Sequence, residues 1–158
     1  MTDMDVLVNL YNLPFEYDGC AEFYEKTGVS IKRVLSCDKT AVLDFIKEEF
    51  SQGWADEAEK AIFNNPCTCF IAVKDKKVVA FACYDSTALG YYGPLGVAKS
   101  ARGLGIGTYI TRRALLSMRE AGYGYAIFNA GPVDYYVKTL NAMVIGDHPG
   151  VYKNMIGN

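Results

Sequence analysis

A single histidine stands in the 158 residues of this chain. His148 lies inside Asp147-His148-Pro149-Gly150, a string that reads as a turn, so a Ser or Cys triad would depend on an imidazole in an unpromising place. The cysteines Cys20, Cys37, Cys67, Cys69 and Cys83 are odd in number, and their spacing suggests no disulfide framework, so reduced thiols are expected. Cys67 and Cys69 would share one face of a strand, but no second pair or neighbouring histidine completes a zinc site, and no metal is expected. An excess of positive charge is also missing. With a net charge of −2 the chain shows no overall electrostatic footprint for nucleic acid or an anionic membrane, which favours a small substrate. No apolar run reaches spanning length, and the opening M-T-D-M-D-V-L-V-N-L-Y has no basic region, so a cytoplasmic location is expected.

Apolar material, by contrast, is plentiful. At 51% hydrophobic and 13% aromatic, the chain can build one sizeable core, and its length is short for two domains. The expectation is a single domain over 1–158, with 1–29 as an N-terminal extension. Patterning predicts strands at 4–10 and 30–35 and helices at 18–26, 39–50 and 54–63, with Asp38 as an N-cap and Gly28 as a stop. Strands at 69–73 and 78–84 form a hairpin across Lys74-Asp75-Lys76-Lys77. The unbroken run Val78-Val79-Ala80-Phe81-Ala82-Cys83 suggests a strand covered on both faces. In the strand at 89–97, Gly93 and Pro94 predict a bulge or a locally unpaired edge, because proline cannot donate to a ladder. A helix over 105–121 carries Ile106, Ile110, Ala114 and Met118 in one stripe, and a strand at 125–129, a helix at 133–140 and a strand at 142–145 complete an α/β order.

The most informative segment is V-A-K-S-A-R-G-L-G-I-G-T, residues 97–108. Gly103, Gly105 and Gly107 permit a tight turn and a close backbone approach, and the next helix opens with unpaired N–H groups at the positive end of its dipole. That is a cradle for an anion. A dinucleotide fingerprint would need glycine where Thr108 stands, and a P-loop would need Lys after Gly107. Arg102-x-x-Gly105-x-Gly107 resembles instead the acyl-CoA pyrophosphate loop of the GNAT N-acetyltransferases, in which Gln or Arg is followed three residues later by Gly and after one more by Gly or Ala. Downstream, Ala130-Gly131-Pro132-Val133-Asp134-Tyr135-Tyr136-Val137-Lys138-Thr139 is similar to that family's second segment, an aromatic pair opening a short helix before a last strand. The likeness covers about residues 30–154.

The resemblance implies a GNAT-like α/β fold: a mixed, mostly antiparallel sheet flanked by helices, whose fourth and fifth strands splay to hold the CoA arm. It implies acetyl-CoA as cosubstrate and transfer of acetyl to an amine of a small molecule or peptide. Leu95, Gly96 and Val97 would meet the pantetheine arm through their backbone. Gly103, Gly105, Ile106, Gly107 and Thr108 would hold the phosphates, and Arg102 would lie over the pyrophosphate or the 3′-phosphate, with Lys99 as a helper. A backbone N–H near Leu95 would face the thioester oxygen, and Tyr136 would give a proton to the departing thiolate. Phe23-Tyr24-Glu25-Lys26-Thr27-Gly28 matches the aromatic string more closely, but it precedes the loop, which excludes Tyr24. Leu140-Asn141 stands where the family has Gly followed by an apolar residue, so the helix runs one residue longer or the last strand shifts. Glu48, Glu49 and Asp85 are carboxylates that could deprotonate an amine through water, but solvated surface charge is the commoner explanation of each, and no base is assigned. Phe50, Trp54, Tyr91 and Tyr92 could wall an acceptor pocket or belong to the core. A CoA-binding sensor without turnover is the rival reading, and a homodimer stays open.

Overall fold

Residues 69–72 and 80–84 are continuously apolar because successive side chains enter opposite cores. Phe70, Ala72, Ala80, Ala82 and Tyr84 join one cluster, and Cys69, Ile71, Phe81 and Cys83 the other. The computed structural model describes residues 4–129, 131–147 and 150–157. His148 and Ala130, which figure in the sequence reading, lie outside them. The strands are β1 Met4–Asn9, β2 Ser30–Arg33, β3 Cys69–Lys74, β4 Lys77–Tyr84, β5 Tyr91–Val97, β6 Tyr125–Asn129 and β7 Met143–Asp147. They form one sheet in the order β2-β3-β4-β5-β6-β1-β7. Every pairing is antiparallel except β5 with β6, so the sheet is mixed and mostly antiparallel, as expected. Asp75 and Lys76, both at positive φ, make the two-residue turn between β3 and β4.

The helices are α1 Cys20–Thr27, α2 Lys39–Glu49, α3 Gln52–Phe63, α4 Ile106–Glu120 and α5 Val133–Leu140. The stripe Ile106, Ile110, Ala114 and Met118 is buried in the first core, which also takes Phe23 of α1 and Leu140 of α5. Val42 and Ile46 of α2 and Ala55, Ala58, Ala61 and Ile62 of α3 fill the second. Asp38 precedes α2 but its side chain makes no cap hydrogen bond, whereas Ser51 Oγ caps α3 by accepting from the Trp54 N–H at 3.1 Å. Gly28, at φ 74, ends α1.

Residues 4–9, placed by sequence in an N-terminal extension, are an interior strand. β1 lies antiparallel between β6 and β7 and buries Val6 and Val8. Beside it, Asn129 Nδ2 donates to Oδ1 of the buried Asp5 at 2.6 Å.

β5 is the irregular strand. Between the pairs Ala82↔Leu95 and Tyr84↔Tyr92 it contains one residue more than β4, which is a bulge at Gly93 and Pro94, and Gly93 has φ 126. On its other edge only Tyr91↔Ile127 and Tyr92↔Phe128 are in register with β6. Among the described residues, 93–97 have no registered partner on that side. Gly96 faces α2 and α3, where a Cβ would meet Cζ of the Phe50 ring at 2.5 Å. Gly96→Ala is therefore expected to cost about 1–3 kcal/mol by overpacking in urea unfolding, with part of the loss recovered by Phe50→Leu in the same chain. An unchanged midpoint for Gly96→Ala would show that the ring moves aside freely.

Candidate active site

The chain leaves β5 at Val97, makes a 3₁₀ turn at Lys99–Ala101 and enters α4 through two left-handed glycines, Gly103 and Gly105, both at φ 91. Gly105 occupies the N-cap of α4. It has no side chain to offer, and the first turn holds no acidic residue. The opening N–H groups of this 15-residue helix are thus left without a side-chain acceptor, at the end where the dipole is positive. Thr108 Oγ1 and the Tyr135 hydroxyl lie 2.9 Å apart and tie this turn to α5, and Thr111 Oγ1 and the Tyr92 hydroxyl, 2.7 Å apart, tie it to β5.

A cavity of about 1520 Å³ opens at this point. It exceeds the roughly 300–1,000 Å³ of an ordinary small-ligand pocket and suits a long ligand or two ligands together. Residues of α3, on one face of the sheet, and of α4 and α5, on the other, all border it, so it runs through the place where β5 and β6 are unpaired. Leu95, Val97, Arg102, Gly103 and Gly105 line it, as do Ile106, Gly107, Thr108 and Tyr136. Gly96 does not, because alternation along β5 turns it to the Phe50 side. Lys99 is also outside the lining and exposed. Arg102 is exposed and folds back, its Nε donating to the Val97 carbonyl at 3.3 Å.

Tyr136 is half-buried on α5, with its ring edge-to-face against Phe128 at 4.7 Å between centroids. Burial, and then the neighbouring Tyr135, pushes its phenol above the ordinary tyrosine value. It holds its proton at neutral pH and is available as a donor. α5 ends at Asn141, which adopts φ 55 where a glycine is usual, so the helix includes Leu140 and buries it. Asn tolerates the left-handed conformation, which explains how this chain does without the glycine.

Trp54, Tyr91 and Tyr92 line the cavity, whereas Phe50 packs on Trp54 and Phe81. Glu48 and Glu49 are exposed on α2 and do not border it. Asp85 faces elsewhere, its carboxylate accepting from the Gly90 N–H and the Tyr123 hydroxyl. Of the two carboxylates that do line the cavity, Asp56 and Glu57, sequence reasoning named neither, and Glu57 is the one held by two hydroxyls. Its Oε1 accepts from Thr87 Oγ1 at 2.6 Å and from the Tyr152 hydroxyl at 2.8 Å. The available signal was helical spacing, since Glu57 lies one turn beyond Trp54. It also missed Arg112, one turn beyond Thr108. Charge is segregated along the lining: the bases Arg102 and Arg112 are at or on α4, and the acids Asp56 and Glu57 are on α3.

The model of the acetyltransferase (GNAT) family matches residues 36–140. No curated protein matches the chain by sequence. Among solved structures, the chain is similar to the glucosamine N-acetyltransferase region of a fungal multi-domain β-N-acetylglucosaminidase, with a TM-score of 0.72 at 14% identity over 91% of this chain and 20% of that one. An N-acetyltransferase of Sphaerobacter thermophilus gives 0.68 at 16% identity over 90% and 48%. A GNAT family acetyltransferase of Brucella melitensis in complex with acetyl-CoA gives 0.56 at 19% identity over 77% and 91%. The chain spans less than half the length of the first two. At these identities the likeness is one of fold.

Two phenols outside the proposed chemistry generate a pH prediction. Burial comes first at both; Asp85 beside Tyr123 and Glu57 beside Tyr152 then add to it, pushing each up to about 12. Above about pH 10 the unfolded chain releases these protons while the folded chain keeps them, so this contribution to stability is complete below 10 and lost as pH rises toward 12. Thermal unfolding from pH 8 to 11 should show a steeper fall for the wild type than for a Tyr123→Phe, Tyr152→Phe double variant. Equal slopes would remove these two phenols as the cause.

Proposed function

The chain belongs to the GNAT acetyltransferase family, and from that premise we propose that it is an acetyl-CoA-dependent N-acetyltransferase acting directly on an amine, without a covalent enzyme intermediate. The observation that carries this reading is the uncapped, glycine-entered N-terminus of α4 opening into the cavity beside the unpaired edge of β5. The acetyl-CoA held by the Brucella melitensis structure supports it. Acetyl-CoA supplies the activated acyl group as a thioester. Ile106, Gly107 and Thr108 offer N–H groups, and Arg102 offers charge, to its phosphates. The free edge of 93–97 offers N–H and carbonyl groups to the pantetheine amides, with the N–H near Leu95 toward the thioester oxygen. Once the ammonium has lost a proton to solvent, its nitrogen bonds the carbonyl carbon and the carbon–sulfur bond breaks; the Tyr136 hydroxyl gives its proton to the thiolate and regains one from solvent, to which the amine's remaining extra proton passes.

Charge segregation supports an amine as the acceptor. The anionic cosubstrate belongs at the α4 end, and Glu57, held by two hydroxyls, presents negative charge at the other, where an ammonium would approach. We further propose a single domain working in the cytoplasm; no helix among the described residues is long and apolar enough to cross a membrane. A homodimer would use the edge strand β7, where Met143 and Ile145 are 64% and 47% exposed.

Thiol release from acetyl-CoA across a panel of amines, with CoA binding measured by calorimetry, tests the reading. Turnover with one or more amines is expected, and Tyr136→Phe should lower kcat on the order of 10²-fold at unchanged CoA affinity. CoA binding with no turnover across the panel would favour a sensor. Gly107 provides a cleaner probe of the cradle than Gly105, whose left-handed φ strains any replacement. A Cβ on Gly107 would sit an ordinary 3.8 Å from Val97 Cγ2, within the lining. Gly107→Val should therefore melt within a few degrees of the wild type yet bind CoA at least about tenfold more weakly. Undiminished affinity would move the phosphates elsewhere.

A further inference from the structure

Arg112 is the cation of the cavity wall that the acetyl-transfer reading does not use. It sits four residues after Thr108, on the same face of α4 and about 6 Å farther along the axis from the phosphate cradle. The guanidinium is fixed in place: its Cζ stands 4.4 Å from the centroid of the Phe15 ring and 5.4 Å from that of Tyr109, and Nη2 donates to the Tyr17 carbonyl at 3.0 Å. No carboxylate among the described residues lies within ion-pair distance of it; Asp18 pairs instead with Arg113, at 3.9 Å. Its Nε is the one buried side-chain polar atom among the described residues with no hydrogen-bond partner.

A buried donor left unsatisfied is destabilising, and a guanidinium without a counter-charge in a partly dry wall is a further cost. Stacking on Phe15 and one carbonyl contact leave most of the donor fork unused. A planar fork held rigid beside a cavity, with its charge uncompensated, is the arrangement that reads a phosphate. The pyrophosphate of coenzyme A is assigned to the α4 N-terminus. Its 3′-phosphate lies one ribose beyond, and Arg112 lies one helical turn beyond.

We propose that Arg112 binds the 3′-phosphate of coenzyme A and makes the cavity selective for CoA over 3′-dephospho-CoA. The proposal rests on the acyl-CoA reading above. Calorimetric titration of both compounds into the wild type, Arg112→Gln and Arg112→Lys tests it. The wild type should bind CoA on the order of tenfold or more tighter than 3′-dephospho-CoA. Arg112→Gln should bring the ratio close to one by weakening CoA alone, and Arg112→Lys should keep part of the preference. Equal binding of the two compounds by the wild type would overturn the proposal without any variant, and so would a Gln variant that weakens both alike or keeps the preference. If the wild type bound neither compound, the acyl-CoA reading itself would fall, an outcome distinct from binding both equally.

Discussion

The structure turns on β5 being paired with β4 on both sides of its bulge but with β6 through only its first two residues. Pro94 has no N–H to give, and Gly93 at φ 126 turns the backbone out of the regular pleat, which makes the bulge; β6 itself ends at Asn129, so in its register with β5 it has no strand residue to set beside 94–97. An interior strand with unused N–H and C=O groups is costly unless something satisfies them. The cavity lies along that edge, and a ligand with amides of its own could complete the ladder there.

The same interruption sets where α4 begins. Val97 is the last residue of β5, and two left-handed glycines turn the chain so that α4 starts beside the free edge. Stripping the helix of a capping side chain and of acidic residues in its first turn leaves its dipole uncompensated at the cavity. Threonine–tyrosine pairs hold the first two turns in position, Thr108 to α5 and Thr111 to β5. Strand edge and helix end therefore present donors to one space, and neither depends on the identity of a catalytic side chain.

Much of this was legible in sequence because its determinants are local. The glycine spacing of 103–107, the proline in β5 and the apolar stripe of α4 each act within a few residues of where they are read. Gly96 shows the limit. The ring that a Cβ there would meet belongs to Phe50, distant in sequence, so the packing that requires glycine could not be read locally. β1 shows another: Val6 and Val8 mark a strand, but only the pairing of 4–9 with both β6 and β7 makes it interior. Glu57 shows a third: helical spacing sets it one turn beyond Trp54 but says nothing of its partners. Its hydroxyl partners come from Thr87 and Tyr152, on segments that meet α3 only in the folded chain.

The two cores divide the labour on either side of the sheet. One anchors α4 and α5, with Tyr136 packed on Phe128, and so fixes the end of the cavity assigned to the cosubstrate. The other anchors α2 and α3, with Trp54 and Phe50 on Phe81, and so fixes the end that carries Glu57. β3 and β4 contribute alternate residues to both, which makes the relative placement of the two ends a property of the sheet. A substitution confined to the cavity-lining turn of α3 would alter the Glu57 end while leaving the N-terminus of α4 in place. An alteration of β4 or β5 would disturb both ends together, because each strand is packed from both sides at close-packed density.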